Sequence, residues 1–162
     1  MSENMLRELS ISVGQKLKTN RQWITCAESC TGGGIAKAIT DVAGSSAYFD
    51  RGFVTYSNTA KHQLLGVAEA TLAAHGAVSE NVVREMAVGA LKAANADLAI
   101  SVSGIAGPDG GSEEKPVGTV WFGFAARSGR VLAHKMCFAG DRDAVRSQAT
   151  IFALQTALDE FL

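Results

Sequence analysis

The chain has 162 residues, of which 47% are hydrophobic and 19% charged, with a formal net charge of -1 at pH 7. That length fits one globular core, and so even a charge balance offers no basic footprint for general nucleic-acid binding, so a small molecule is the expected partner. No apolar run approaches the ~20 residues of a membrane span, no basic start precedes an apolar core, and three cysteines without a Cys-x-x-Cys pair read as reduced thiols in a cytoplasmic protein.

Leu6, Leu9, Val13 and Leu17 recur at helical spacing, with Arg7, Glu8, Lys16 and Lys18 between them, which predicts a surface helix. A strand over Gln22–Cys26 leads into Ala27-Glu28-Ser29-Cys30-Thr31-Gly32-Gly33-Gly34 and an amphipathic Ile35-Ala36-Lys37-Ala38-Ile39. This pattern is a strand, a tight turn and a helix that ends near Asp41. The first turn of such a helix offers free amides to a phosphate or an oxyanion, with Ser29 and Cys30 beside it. The plainer alternative is that Thr31 caps the helix and the glycines only make the turn.

Phe49–Tyr56 alternates large apolar with polar or small residues, a strand with one buried face. Asn58 caps a short helix, Thr59–Leu65, which carries Lys61 and closes at Gly66. Ala68–Ala74 is a second short helix ended at Gly76. Ser79 then caps a longer one with an apolar stripe of Val82, Val83, Met86, Ala87, Ala90 and Leu91.

From Asp97 the period is two, with Leu98, Ile100 and Val102 on one face and Ser103 near the strand end. Ser103–Pro116 is a long loop with four glycines and both prolines. Its opening residues, Ser103, Gly104, Ile105, Ala106 and Gly107, are small where a backbone approaches something closely. Val117–Ala125 reads as an interior strand and Arg130–Phe138 as a more polar one, joined antiparallel by a short turn. Asp141 caps a helix to about Phe161 whose apolar residues fall on two faces, which predicts self-association as a homodimer or a dimer of dimers. The fold expected is α/β: a single three-layer α/β/α domain over residues 1–162, with a mixed, mostly parallel sheet and a C-terminal antiparallel hairpin.

Standard nucleotide and hydrolase fingerprints are missing, and His62, His75 and His134 lack metal-site spacing. A hydroxyl nucleophile without a histidine base can use a lysine whose pKa is lowered. Ser29 and Lys61 both lie just past strand ends, where α/β sheets converge on a ligand crevice. Tyr56 is placed either to orient the lysine or to hydrogen-bond substrate. Arg142 and Arg146, four apart in the first turns of the last helix, oppose its dipole unless an anion is near. At least one of them is expected to grip a phosphate.

The motifs Ala27-Glu28-Ser29-Cys30-Thr31-Gly32-Gly33, Tyr56-Ser57-Asn58 with Lys61, Gly76-Ala77-Val78-Ser79, Ser103 to Gly111 and Lys115-Pro116-Val117-Gly118-Thr119-Val120 together resemble the CinA C-terminal domain family over essentially the whole chain. Gly34 departs from the family pattern, which often has a larger residue there. The resemblance implies nicotinamide mononucleotide deamidase activity in pyridine nucleotide recycling, with no metal or cofactor. An N-terminal nucleotide-processing domain, carried by larger members, is not expected in this chain. The family's serine and lysine map onto Ser29 and Lys61, matching the dyad above.

The site so drawn takes Ser29, Lys61 and Tyr56 as catalytic. Cys30, Thr31, Gly32, Gly33, Asn58, Ser103, Gly104, Ile105, Ala106, Gly107, Arg142 and Arg146 are its substrate-binding residues. The Thr31–Gly33 amides are candidates for the oxyanion or for the phosphate, and both uses remain open. Family names that allude to competence and DNA damage leave a second function, a non-catalytic nucleotide-binding regulator or scaffold.

Overall fold

The computed structural model describes residues 2–162. Helix α1 (Ser2–Asn20) leads to strand β1 (Ile24–Glu28) and helix α2 (Gly34–Thr40). A short strand β2 (Phe53–Val54) precedes helices α3 (Asn58–Leu65), α4 (Glu69–His75) and α5 (Glu80–Ala94). Strands β3 (Leu98–Gly104), β4 (Thr119–Ala126) and β5 (Val131–Cys137) and helix α6 (Arg142–Phe161) complete the chain. The five-stranded sheet has the order β2-β1-β3-β4-β5. β1 is parallel to β2 and β3, while β3–β4 and β4–β5 are antiparallel, so β4 alone runs against the others.

Two cores cover the two sheet faces, giving the expected three layers. On one face Leu9, Val13 and Leu17 of α1, Ile35 and Ile39 of α2 and Val145 and Leu154 of α6 meet Ile24, Cys26, Ile100, Val102, Phe122 and Phe124. On the other, Leu65, Leu72, Val82, Val83 and Met86 of α3 to α5 meet Ala27 and Ala99. β3 is buried along both faces except at Gly104, which explains its near-continuous run of apolar and small residues.

Three expectations shift. The alternating run Phe49–Tyr56 pairs as a strand only at Phe53–Val54, with one further bridge from Phe49 to Ile24. Between them the Arg51 carbonyl accepts the Thr25 hydroxyl, so side-chain bonding replaces the ladder at this sheet edge. Helix α3 starts one residue early, and Ser57, not Asn58, caps it by accepting the Ala60 N–H at 3.0 Å. Finally, α6 packs against β3 and β4 on one side and against α1 and α2 on the other. Both apolar faces thus have partners within one chain, while Ile151, Phe152 and Leu158 stay half-exposed.

Candidate active site

β1 ends between two parallel neighbours, and its last ladder bonds frame Ser29. Thr55 N–H donates to the Glu28 carbonyl at 2.8 Å on the β2 side, and Ser29 N–H donates to the Val102 carbonyl at 3.0 Å on the β3 side. Glu28 itself is fully buried. Its carboxylate accepts the Thr31 hydroxyl at 2.6 Å and the Ile35 and Ala36 amides at 2.8 and 3.0 Å. Glu28 therefore does from the strand what a cap residue does from the helix. Thr31 turns its hydroxyl toward Glu28, and the cap position falls to Gly33, at φ 107, with no side-chain bond of its own. Two of α2's first amides are thus occupied by a carboxylate. A lone acid ending an apolar strand was the sequence signal for this, because a buried charge requires partners.

Lys61 reaches the turn from α3, which α5 holds close. Gly89 lies so near the Leu65 carbonyl that a Cβ there would overlap it. The lysine is 1% exposed. Its Nζ donates to the Thr55 carbonyl at 2.9 Å and lies 3.1 Å from Ser29 Oγ. Burial lowers its pKa from the ordinary 10.5. With the amine neutral, the Ser29 hydroxyl donates into the Nζ lone pair instead. Cys30, by contrast, is 5% exposed within the α1–α2–α6 core, and burial pushes its thiol up to about 11. At neutral pH it is a thiol rather than a thiolate.

A cleft of about 300 Å³ opens over this pair. Ser29, Cys30, Tyr56, Asn58, Lys61, Ser103, Gly104, Ile105, Ala106, Gly107 and Arg142 all line it, joined by Ala77, Val78, Asp109 and Gly110, which sequence reasoning left out. Thr31, Gly32, Gly33 and Arg146 do not line it. The Gly32 and Gly34 amides close turns onto the Ser29 and Thr31 carbonyls. Arg146 is spent on the same turn, donating to the Cys30 carbonyl at 3.0 Å and the Thr31 carbonyl at 3.4 Å. Arg142 faces the cleft, braced by the Gly107 carbonyl at 2.9 Å and the Tyr56 hydroxyl at 3.1 Å. Tyr56, 63% exposed, thus orients an arginine, while Lys61 is oriented by the Thr55 carbonyl, a backbone group that no side-chain pattern signals. The long loop is anchored as well, since Lys115 Nζ donates to the His75 carbonyl at 2.9 Å.

A model of the CinA C-terminal domain matches residues 6–161. The chain belongs to the CinA C-terminal domain family. Among relatives, the nicotinamide-nucleotide amidohydrolase PncC of Enterobacter agglomerans is 71% identical over 162 residues, spanning 100% of this chain and 99% of the relative. The protein of the same name from Escherichia coli K12 is 66% identical, across 100% of this chain and 98% of its own length. Among solved structures, the competence/damage inducible protein CihA of Agrobacterium tumefaciens superposes with a TM-score of 0.93 at 45% identity, covering 96% of each chain. In this CinA C-terminal domain a Cβ at Gly34 would stand 3.1 Å from Thr150 Oγ1. The small residue there goes with a tight seat of α2 on α6.

Proposed function

We propose that this chain is a nicotinamide-nucleotide amidohydrolase that converts nicotinamide mononucleotide to nicotinic acid mononucleotide and ammonia, with Ser29 as nucleophile and Lys61 as its base. The observation that carries the reading is a buried lysine amine 3.1 Å from a serine hydroxyl at the floor of a cleft. Relatives of that name at 71% and 66% identity support the substrate.

Lys61 takes the Ser29 proton as Oγ bonds to the carboxamide carbon, and the carbonyl π pair moves onto oxygen. As the pair returns, the C–N bond breaks and the lysine ammonium gives its proton to the departing nitrogen, releasing ammonia. Water, deprotonated by Lys61, then cleaves the Ser29 ester, and the proton returns to Oγ. Arg142 binds the substrate phosphate, held ready by Tyr56 and the Gly107 carbonyl. Such turnover belongs to the recycling of pyridine nucleotides.

Ammonia release from nicotinamide mononucleotide by the purified protein tests this directly. Turnover that vanishes in Ser29→Ala with the fold intact is expected. Ligand binding without turnover in the parent protein would favour a regulatory binding module instead.

A further inference from the structure

Ser103 is 1% exposed and lines the cleft, and among the described residues no hydrogen bond holds its hydroxyl; the fully enclosed side-chain atoms without a partner are those of Gln22, Tyr48 and Thr55, so what exposure Ser103 keeps is to the cleft. Ser101, two positions earlier on the same face of β3, gives its hydroxyl to the Val83 carbonyl at 2.6 Å. Buried hydroxyls are ordinarily partnered, so one left free at the wall of a cleft is available to a ligand. The strand register says where that ligand atom lies. Glu28 pairs with Val102, so Ser29 and Ser103 are the next neighbours on adjacent parallel strands, about 4.8 Å apart along the sheet. The pleat sets Ser103 on the face where Ser101 meets α5, the face from which α3 brings Lys61 to Ser29.

Strand order places Lys61, held on Thr55 beyond β2, to one side of Ser29 and Ser103 of β3 to the other. The departing nitrogen must face Lys61 to collect its proton. The attacked carbon then presents its oxygen or its ring toward β3, and of the two only the oxygen accepts a hydrogen bond from a hydroxyl on that strand. Glu28 occupies the Ile35 and Ala36 amides and the Thr31–Gly33 turn does not line the cleft, which leaves the backbone N–H of Cys30, a cleft-lining residue, as the donor that would share the oxygen with a side chain of β3.

We propose that the Ser103 hydroxyl donates to the oxyanion formed when Ser29 attacks the substrate amide. This rests on the amidohydrolase reading above. As the Oγ–C bond forms and the Ser29 proton passes to Lys61, the π pair that moves onto oxygen meets the Ser103 O–H, a hydrogen bond stronger in the transition state than before it.

The test is Ser103→Ala, measured on nicotinamide mononucleotide and on two ligands. One is the pyridine-3-carboxaldehyde mononucleotide, which forms a tetrahedral hemiacetal with Ser29. The other is the planar product acid. The expected result is a kcat about 100-fold lower with KM within about threefold, and aldehyde affinity reduced by a similar factor while the acid binds as before. A kcat within about threefold of the parent enzyme would overturn the proposal, as would equal losses for aldehyde and acid. Ser101→Ala serves as the control for a purely structural hydroxyl and should cost thermal stability with kcat unchanged. The parent and Ser29→Ala separate the levels: if the parent releases no ammonia the amidohydrolase reading itself fails, and if Ser29→Ala stays active the nucleophile assignment fails and the Ser103 proposal with it. If Ser29→Ala is dead beside a fully active Ser103→Ala, only the role of Ser103 fails.

Discussion

Glu28→Ala should be among the most damaging single changes in the chain, although Glu28 does not line the cleft. It removes the acceptor for three O–H and N–H donors, the buried Thr31 hydroxyl at 2.6 Å, the buried Ile35 amide at 2.8 Å and the half-buried Ala36 amide at 3.0 Å, and for the weaker Cys26 thiol at 3.6 Å. Orphaned donors cost about 1–3 kcal/mol each, a ceiling of about 9 kcal/mol, and the desolvation no longer charged to a buried carboxylate returns several of these. The expected net loss is about 3–5 kcal/mol, a large part of the roughly 5–15 kcal/mol of a typical domain. At roughly 2–4 °C per kcal/mol for a chain of this size, Tm should fall by about 6–20 °C. Glu28→Gln keeps one acceptor oxygen but sets an amide N–H against a backbone donor, so its loss should be about 1–3 kcal/mol. Because Thr31 shares the carboxylate, Glu28→Gln and Thr31→Ala should be non-additive in a double-mutant cycle. Urea unfolding with a fixed m-value measures all three variants. A Glu28→Ala variant within about 1 kcal/mol of the parent would refute the idea that this carboxylate holds the Ser29–Gly34 turn together.

Cys30→Ala should retain substantial ammonia release where Ser29→Ala retains none, because the thiol is pushed up to about 11 and lies in the core; the opposite pattern would reverse the nucleophile. Lys61→Arg should be as inactive as Lys61→Ala, since a guanidinium keeps its proton near neutral pH, and recovered activity would mean that only positive charge is needed. The rate should rise with pH along a limb set by deprotonation of Lys61, centred below 10.5 because burial lowers that pKa; a limb at or above 10.5 would contradict it. For stability the sign follows from the same shift: the unfolded chain holds the Lys61 proton more readily, so the folded state is penalised fully below the lowered pKa, and the penalty fades as pH rises to 10.5. The parent should accordingly gain stability relative to Lys61→Met over that range, in paired thermal melts. Arg142→Ala should raise KM for the mononucleotide far more than for the phosphate-free riboside, whereas Arg146→Ala should lower kcat on both by releasing the Cys30 and Thr31 carbonyls. Equal effects of Arg142→Ala on both substrates would remove its phosphate role.

The local patterns carried much of the architecture, because periodicity and caps are properties of neighbouring residues. The 3.6-residue stripe of α5 with its Ser79 cap, the period-two face of Leu98, Ile100 and Val102, and the short turn joining the last two strands were all legible in the sequence. Ser29 and Lys61 were legible as a hydroxyl and an amine just past two strand ends, and the structure places them 3.1 Å apart. The tertiary structure supplied what depends on strand order and on backbone atoms. Lys61 meets Ser29 across 32 positions of sequence because β2 lies beside β1, and Ser103 stands on the opposite flank because β3 lies on the other side. The two arginines of α6, equivalent in spacing, separate only once packed, Arg146 onto the turn and Arg142 into the cleft. Glu28 becomes the cap of α2, and a Thr55 carbonyl the orienter of the lysine, for the same reason. A periodic pattern states which face of an element is buried, but the partner that buries it is chosen by long-range pairing, which no stretch of local sequence encodes.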